Sequence, residues 1–520
     1  MNVLRDALRF NRCFRLVVVF SLLSACQPPD ELAQTNKNAP FALQVCTADQ
    51  FAHRGNRKDF QCGTLSVPEN PEAPDGRLIP LNIVRLPALS SSAQADPVFV
   101  LAGGPGQAST EIVASISPWL RKVNRERDFV FVDQRGTGKS HPLDCISDDE
   151  VDPTLNRSAL LQLQQQLMQN CLQDYDADLR YYTTPFAADD INQVRDALGY
   201  EKINLWGASY GTRLALEIMR RHPTVVRAAV LDSVAPVGIH LPEFLLADAD
   251  RSLQKLIDLC EQEMGCATRF PELENQIKNL ISNLDSEPRL LSLTHPLRGE
   301  EFTLRLDGQL VAGLLRLGLY VRDISPTMPL MIDAAAKGDF APLLTLYSMS
   351  EEVEEGISIG LQHTILCAED VARIESADKT ENSLLQLRAI AEIKRTCEFW
   401  PQGLLPNDYF QPVVSDIPTL LLSGNLDPVT PPRWGNTAAA TLSRHLHIQV
   451  AGAHHNVSHL GCVPDLIDDF YATTQVDKVD TTCVENIQPL PPFVSAAGPL
   501  MQTENAVKQE PAKKDTSGGP

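Results

Sequence analysis

The sequence predicts an α/β fold, in which helices cover both faces of a mostly parallel sheet and a long helical cap is inserted into the chain. Short continuous runs of Val, Leu and Ile alternate with helical patterns, and several of these runs end in Gly or Asp. Such runs are typical of buried parallel strands whose carboxyl ends carry the functional residues. One stretch, from about 236 to 414, has mostly helical periodicity and interrupts this alternation. We interpret it as the cap.

Six apolar runs are the candidate strands: Val98–Leu101, Phe129–Val132, Ile203–Trp206, Ala228–Leu231, Thr419–Leu422 and His447–Val450. Helical patterns fill the gaps between them. One helix is predicted over Ala188–Leu198, because its apolar residues recur at helical spacing and Gly199 follows as a stop signal. Within the cap, helices are predicted over 244–257 and 384–393.

The composition is that of a globular protein, with 43% hydrophobic and 21% charged residues in 520. Lys and Arg number 45 against 66 Asp and Glu, which gives a formal net charge of −21. Nucleic-acid binding needs a clustered excess of basic residues, so the sequence argues against a nucleic-acid partner. Beyond residue 25, no apolar run is long enough to cross a bilayer.

The first 25 residues resemble an export signal, with four arginines between residues 5 and 15 followed by the short apolar stretch 16–25. Leu23-Ser24-Ala25-Cys26 resembles the lipobox of bacterial lipoproteins, which implies that Cys26 becomes the acylated N-terminus after residues 1–25 are removed. The alternative is an ordinary secretory signal that contains a cysteine. We therefore expect an exported protein that is lipid-anchored at Cys26 to a bacterial membrane, at the outer membrane or the periplasmic face, or that is periplasmic or secreted.

Polar, Pro-containing residues over 26–44 predict a flexible tether, and residues 489–520 lack apolar periodicity and predict a disordered tail. Ten cysteines follow Cys26, without the C-x-x-C spacing of zinc sites. An even number of this kind indicates disulfides formed in an oxidising compartment. Because short loops close at the lowest entropic cost, neighbours are predicted to pair. The predicted pairs are 46 with 62, 145 with 171, 260 with 266, 367 with 397, and 462 with 483.

The pentapeptide Gly207-Ala208-Ser209-Tyr210-Gly211 fits the pattern G-x-S-x-G. It lies between a predicted strand and a helical pattern, which is where a nucleophile on a tight strand-to-helix turn must lie. Bulk at either glycine would clash with neighbouring backbone. The turn exposes the serine hydroxyl at the carboxyl edge of the sheet, near the positive end of the following helix. We predict Ser209 as the nucleophile.

A serine nucleophile needs a base, and the base needs an acid that orients it. Asp427 lies just beyond a predicted strand and is predicted as the acid. Asp232 also follows a predicted strand and is the competing candidate, although a turn-capping role is the simpler interpretation. The base is one of two adjacent residues, His454 and His455, of which only one can face Ser209.

A glycine turn, 103–106, follows the predicted strand at 98–101. A backbone N–H of such a turn can stabilise the negative charge that develops on a substrate carbonyl oxygen, and the N–H of Tyr210 supplies a second donor. The segment 133–140 (DQRGTGKS) superficially resembles a nucleotide-binding loop. Neither it nor the glycine turn has the glycine spacing that phosphate binding requires, so nucleotide binding is not expected.

Five segments together carry a family resemblance: GGPG at 103–106, DQRGTGKS at 133–140, GASYGT at 207–212, GNLDPVTPP at 424–432 and GAHHNVSHLGCV at 452–463. They resemble the prolyl aminopeptidase and tripeptidyl aminopeptidase branch of the α/β-hydrolases, including its TAP-like C-terminal region, over about 45–485. With the helical stretch at 236–414 interpreted as a cap, the predicted domains are a hydrolase core at 45–235, this cap, and the TAP-like C-terminal part of the core at 415–488.

The same resemblance implies that Ser209 is the nucleophile and Asp427 the acid, with the amides of Gly104 and Tyr210 as oxyanion donors. Where the family commonly has G-x-G-H-G, alignment on the downstream GCV places the catalytic histidine at His455. The sequence departs from the family at three positions. His454 and Asn456 replace glycines, and Ala102 stands where the family often has histidine.

These residues predict a serine hydrolase that acts through an acyl-enzyme, most simply an aminopeptidase acting on peptides with a free N-terminus. An acidic group of the cap is then expected to bind the free amine, with Glu369, Asp370 and Glu243 as candidates. The rival prediction is a carboxylesterase or amidase, for which the same three residues suffice. A third possibility is a non-catalytic surface lipoprotein that uses the fold for binding. No metal or organic cofactor is implied, and the oligomeric state is left open.

Overall fold

The computed structural model describes residues 41–47, 60–144, 152, 154–294, 299–374, 383–385 and 389–500. The predicted signal segment, Cys26 and residues 501–520 lie outside the described residues. Among the helices in these ranges, none is long and apolar enough to span a membrane.

The core is a nine-stranded sheet, and a separate two-stranded hairpin lies in the insertion. The strands are β1 (Gln44–Val45), β2 (Gln61–Pro68), β3 (Leu78–Leu86), β4 (Val98–Leu101), β5 (Phe129–Val132), β6 (Ile203–Ala208), β7 (Val226–Asp232), β8 (Arg289–Thr294), β9 (Glu301–Leu306), β10 (Thr419–Gly424) and β11 (His445–Val450). The order in the large sheet is β1-β2-β3-β5-β4-β6-β7-β10-β11. All pairs from β5 to β11 are parallel. The predicted mostly parallel sheet and its six strands are confirmed.

Strands β1, β2 and β3 extend the sheet at one edge as antiparallel neighbours, and β3 also runs antiparallel to β5. These three strands do not appear in the sequence prediction. β2 is only partly buried and contains few large apolar residues, so it lacks the continuous apolar run of a central strand.

Helices follow the strands through the chain: α1 (Val113–Trp119), α2 (Arg121–Glu126), α3 (Arg157–Asp174), α4 (Thr184–Ala197), α5 (Tyr210–Arg221), α6 (Leu241–Gln262), α7 (Met264–Arg269), α8 (Leu273–Ser286), α9 (Gly308–Gly318), α10 (Met328–Ala336), α11 (Ala341–Glu355), α12 (Ile359–Ile365), α13 (Ala389–Cys397), α14 (Pro432–Ala439) and α15 (Val463–Thr473). One face of the sheet forms an apolar cluster with α1, α2 and α15. Helices α5 and α14 contact β6 and β10 without joining that cluster, as expected for helices on the opposite face.

Helix α4 begins four residues earlier than the pattern at 188 predicts. Pro185 lies in its first turn, where a proline needs no hydrogen-bond partner for its nitrogen. Gly199 ends the helix with a φ of +76°, a conformation that favours glycine.

The chain between β7 and β10 contains α6 to α13 and the hairpin of β8 and β9. Helices α6 to α11 share an apolar cluster of their own, which includes Leu253, Ile277, Leu315 and Ile332. The structure differs from the predicted helix at 384–393, because Leu384 and Leu385 form a bend before α13 begins. We call the segment 236–414 the cap.

Residues 489–500 differ from the predicted disordered tail. The N–H of Phe493 donates to the carbonyl oxygen of Pro326 at 2.8 Å, and Val494 packs against the apolar cluster of the cap. The segment is irregular, so its contacts leave no periodic pattern in the sequence.

Within the described residues, disulfides join Cys46–Cys62, Cys260–Cys266, Cys367–Cys397 and Cys462–Cys483. These four predicted pairs are confirmed. Cys171 is also disulfide-bonded, whereas Cys145 lies outside the described residues.

Candidate active site

The candidate site lies where the direction of the strand order reverses. Strand β4 is flanked by β5 on one side and β6 on the other, so the chain leaves β4 toward one side of the sheet and returns on the other. In open α/β sheets this reversal creates a crevice at the carboxyl ends of the two strands. Leu101 at the end of β4 pairs with Gly207 in β6, which brings the 103–106 turn next to Ser209.

Ser209 occupies a strained turn between β6 and α5, with φ 53° and ψ −122°. The two glycines of the motif are needed because backbone lies against them. A Cβ at Gly207 would lie 2.4 Å from the carbonyl oxygen of Gly211, and a Cβ at Gly211 would lie 2.2 Å from that of Leu101. The N–H of Ser209 donates to the carbonyl oxygen of Asp232 at 2.9 Å. The turn therefore holds a partly exposed serine in a conformation that the surrounding backbone maintains.

The 103–106 turn lies directly against the nucleophile, because a Cβ on Gly103 would lie 3.3 Å from the Cβ of Ser209. The N–H of Gly103 donates to Gln107 at 3.4 Å, whereas the N–H of Gly104 has no hydrogen-bond acceptor among the described residues. Tyr210 is the first residue of α5, and an amide at that position has no acceptor in its own helix. Two backbone donors thus remain available beside Ser209.

Asp427 and His455 form a direct contact, with 2.8 Å between Oδ2 of the aspartate and Nδ1 of the imidazole. The other oxygen, Oδ1, accepts the N–H groups of Val429 and Thr430 at 2.8 Å each. The hydroxyl of Thr430 donates to Oδ2 at 2.8 Å and lies 3.2 Å from Nδ1 of His455. Because Nδ1 is bound to the carboxylate, Nε2 is the nitrogen of His455 that is left for a serine hydroxyl.

The neighbouring His454 is turned away from this pair. It is buried, and its Nδ1 donates to the carbonyl oxygen of Leu319 in the cap at 2.6 Å. Asn456 has a φ of +68°, and its N–H donates to the hydroxyl of Ser233 at 2.8 Å. Asparagine tolerates this left-handed conformation better than other side chains do. A residue other than glycine therefore fits at 456, and His455 rather than His454 contacts Asp427.

Asp232, the competing acid, binds backbone instead of the imidazole in the described structure. Its fully buried carboxylate accepts the N–H of Val457 at 2.8 and 3.0 Å and that of Ser458 at 2.8 Å. Its carbonyl oxygen accepts the N–H of Ser209. One residue thus connects the serine turn to the loop that follows His455.

The electrostatics of the pair favour an ionised acid and a basic imidazole. Burial alone would raise the pKa of Asp427, but His455 and the amides of Val429 and Thr430 lower it below its usual range. Burial lowers the pKa of His455, but the charge of Asp427 and its hydrogen bond to the imidazole together outweigh that effect, so the pKa is raised. Asp232 adds to this rise. A general base is most effective when its pKa lies near the working pH.

Comparison with known families assigns most of the core. Residues 96–269 match the alpha/beta hydrolase fold, and residues 386–483 match the TAP-like protein family. The sheet order and the strained serine turn agree with the first match. The chain is an α/β-hydrolase with a TAP-like C-terminal region. The family resemblance expected from the sequence is confirmed.

Several named proteins are similar to this α/β-hydrolase. Tripeptidyl aminopeptidase of Streptomyces coelicolor is 30% identical over 192 residues, which cover 34% of this chain and 35% of that protein. The chain thus matches about a third of the length of the Streptomyces relative. Serine protease Hip1 of Mycobacterium tuberculosis is 24% identical over 443 residues, covering 78% of this chain and 84% of the relative. Carboxylesterase B of Mycobacterium tuberculosis is 36% identical over 186 residues, covering 33% and 35%.

The DQRGTGKS segment of this α/β-hydrolase supports the glycine turn. Asp133 is fully buried and accepts the N–H of Thr110 at 2.9 Å and the side-chain amide of Asn82 at 2.8 Å. A Cβ on Gly138 would lie 2.5 Å from a carboxylate oxygen of Asp133. The glycines therefore allow the segment to close around a buried carboxylate, which is a structural role.

Glu369 and Asp370 are predicted to bind the substrate amine, and the structure corrects this prediction. Both side chains are fully buried, and both contact the guanidinium of Arg213 on α5, Asp370 through both oxygens at 3.0 Å. Glu369 also accepts the N–H of Thr184 at 2.8 Å and the hydroxyl of Tyr409. These carboxylates join the cap to α5 and have no free face for a substrate amine. Glu243, half-buried and 3.2 Å from a nitrogen of His240, stays a candidate.

The cap covers the site with residues that no sequence motif marks. The ring of Tyr320 lies with its centroid 5.2 Å from that of His455, at an interplanar angle of 66°. The N–H of Ser358 donates to the carbonyl oxygen of Gly106 at 2.9 Å, and Ile357 contacts the same turn. Tyr320, Ile357 and Ser358 lie far in sequence from the family motifs, so no local pattern marks them. Thr430 lies inside the segment at 424–432, but nothing in that segment shows that its hydroxyl contacts both Asp427 and His455.

Proposed function

We propose that this α/β-hydrolase is an exported serine peptidase of the prolyl or tripeptidyl aminopeptidase type, which releases N-terminal residues from peptides through an acyl-enzyme. The observation that carries the proposal is the 2.8 Å contact between Asp427 and His455, at the sheet edge where the strained turn presents Ser209. Relatives named tripeptidyl aminopeptidase and serine protease support peptides as substrates.

In the first half of the reaction, the hydroxyl oxygen of Ser209 attacks the carbonyl carbon while Nε2 of His455 takes the hydroxyl proton. Asp427 stabilises the imidazolium that forms. The amides of Gly104 and Tyr210 donate to the developing oxyanion, and the loss of one such donor typically reduces the rate by about 10² to 10³.

The tetrahedral intermediate collapses when His455 passes its proton to the nitrogen of the leaving amine and the carbon–nitrogen bond breaks. The acyl group is then esterified to Ser209. A water molecule that is deprotonated by His455 attacks this ester. The bond between the acyl carbon and the serine oxygen then breaks, His455 returns the proton to Ser209, and the acid is released.

The experiment that tests this proposal maps products by mass spectrometry on peptides with free and with acetylated N-termini. An aminopeptidase releases N-terminal fragments from the free peptides only. Ser209→Ala is the matched control, because it removes one oxygen atom and leaves the turn in place. Equal cleavage of both peptide sets would contradict the aminopeptidase proposal, and full activity of Ser209→Ala would contradict the serine mechanism.

A carboxylesterase is the second candidate, and the 36% identity to Carboxylesterase B favours it. An ester needs the same nucleophile, base and acid but no recognition of a free amine. Prolyl and tripeptidyl nitroanilides, offered beside nitrophenyl esters, separate the two functions. Turnover of the esters alone selects the carboxylesterase.

The export proposal depends on the cysteines. The disulfides seen in the structure suit an oxidising compartment, which supports passage out of the cytosol. We propose that Cys26 is acylated and anchors the enzyme to a bacterial membrane. Radiolabelled palmitate is expected to label the wild type and not Cys26→Ser. Absence of label from the wild type would refute the anchor and leave the peptidase proposal intact.

A further inference from the structure

Arg316 places a positive charge beside the proposed general base. It lies in cap helix α9, and its guanidinium donates to the hydroxyl of Tyr320 at 2.8 Å. The guanidinium carbon lies 5.3 Å from the centroid of the Tyr320 ring. The same ring packs against His455, so two side-chain contacts separate the arginine from the imidazole.

Arg316 differs from the buried arginines of the core because it has no carboxylate partner in the part of the chain that the structure describes. Arg135 is paired with Asp190 at 2.6 Å, and Arg213 with Asp370 at 3.0 Å. Among the described residues, no carboxylate oxygen lies within ion-pair distance of Arg316. Its hydrogen bond and its packing on Tyr320 hold the guanidinium in place, so little freedom is lost when an anion binds. The guanidinium of Arg316 is therefore held in one orientation, and it has five N–H donors, more than its bond to Tyr320 uses.

The mechanism indicates that Arg316 faces the leaving-group half of the substrate. The general base returns its proton to the leaving group, so side chains packed around the imidazole face the leaving-group half of the substrate. A guanidinium there fits a carboxylate, which it can bind through two parallel hydrogen bonds.

We propose that Arg316 binds a carboxylate on the first residue of the leaving group, supplied by an acidic side chain or by the free α-carboxylate when only one residue leaves. This inference rests on the proposed serine hydrolase and names its substrate class. Tyr320 acts as a positioning residue that holds the guanidinium against the base.

Matched peptides that differ only in Asp or Asn directly after the scissile bond test the inference. The wild type is expected to prefer Asp by roughly 10- to 100-fold in kcat/KM, the range of one charge-assisted hydrogen-bonded pair. Arg316→Gln is expected to bring the ratio close to one, and Arg316→Lys to retain part of it. Arg269→Gln is the control, because it makes the same change in charge at a cap arginine that pairs with Asp333. It is expected to keep the wild-type ratio.

Because the readout is a ratio within each variant, a change in the folded fraction cancels. A wild-type ratio near one, or a preference that survives in Arg316→Gln, would overturn the inference.

A pair of esters separates this inference from the peptidase proposal. The acetyl esters of para-hydroxybenzoate and para-hydroxybenzamide release a phenol with a carboxylate or a neutral carboxamide. If peptides are not cleaved but the carboxylate ester is preferred in an Arg316-dependent way, the peptidase proposal fails and the Arg316 inference holds. If peptides are cleaved without an Arg316-dependent preference, the Arg316 inference fails and the peptidase proposal holds.

Discussion

Asp232→Asn distinguishes a residue that positions the catalytic histidine from one that serves as the catalytic acid. The carboxylate of Asp232 accepts backbone N–H groups from Val457 and Ser458 at 2.8 to 3.0 Å. An asparagine has one carbonyl oxygen, so its NH₂ group must face one of these two donors. That amide then faces a donor in place of the oxygen at its shortest contact, 2.8 Å, at a cost of about 1–3 kcal/mol.

We expect the free energy of unfolding of Asp232→Asn to fall by this amount in urea denaturation. The loop after His455 shifts as well. A displacement of about 1 Å in a catalytic group can cost roughly 10²-fold, so kcat is expected to fall by about 10- to 100-fold. Asp427→Asn, which removes the partner of the imidazole, is expected to reduce kcat by about 10⁴-fold. If Asp232→Asn proves as damaging as Asp427→Asn, the assignment of the acid is wrong.

The pH profile gives a readout that loss of stability does not move. His455 acts as a base only when unprotonated, so kcat/KM rises as the pH passes upward through its pKa. The negative charge of Asp232 helps to raise that pKa. In Asp232→Asn the acid limb is therefore expected at lower pH than in the wild type. A limb that stays in place or moves to higher pH would refute the reasoning.

Three further substitutions follow from contacts in the structure. Thr430→Val removes the donor to Asp427 Oδ2 and is expected to lower kcat roughly tenfold, measured on a nitrophenyl ester. Glu369→Gln replaces a carboxylate oxygen by an NH₂ group that faces the N–H donors around it, including those of Arg213. It is expected to lower the free energy of unfolding by about 3 kcal/mol, measured by urea denaturation. Replacing Cys462 and Cys483 by Ala opens a loop whose ends are 21 residues apart, and is expected to lower the same quantity by about 3 kcal/mol.

Thr430→Ser is the control for the first of these, because it keeps the hydroxyl and should keep most of the rate. For Glu369, a free energy of unfolding within about 0.5 kcal/mol of the wild type would show that the buried pair contributes little. For the disulfide, an unchanged urea midpoint would indicate that the loop is already constrained in the unfolded chain.

The sequence predicts the centre of the sheet better than its antiparallel edge. Five of the six predicted strands are buried on both faces, so their apolar runs are continuous and end where polar residues face the site. The sixth, β11, has an exposed Gln449 between the buried Ile448 and Val450. β2 and β3 contain Pro68, Pro80 and polar residues, which weaken any strand pattern. The hairpin of β8 and β9 has half-exposed strands in a region of helical sequence.

In the candidate site, too, the sequence predicts features that depend on neighbouring residues and misses those that depend on distant ones. Gly207 and Gly211 follow from the tight turn itself, so a local pattern finds them. The orientation of His454 depends on a carbonyl oxygen of the cap, and the pairing of Glu369 depends on an arginine far away in the chain. Such long-range partners leave no trace in the local sequence.

The long insertion has a consequence for biosynthesis. Thr419 of β10 pairs with Ala229 of β7, so the last two strands add to the sheet only after the whole cap has been made. Until then β7 is an unprotected sheet edge with free backbone donors and acceptors, open to pairing with another nascent chain. Fragments that stop before residue 419 keep that edge permanently, and we expect them to aggregate rather than to yield a smaller soluble protein.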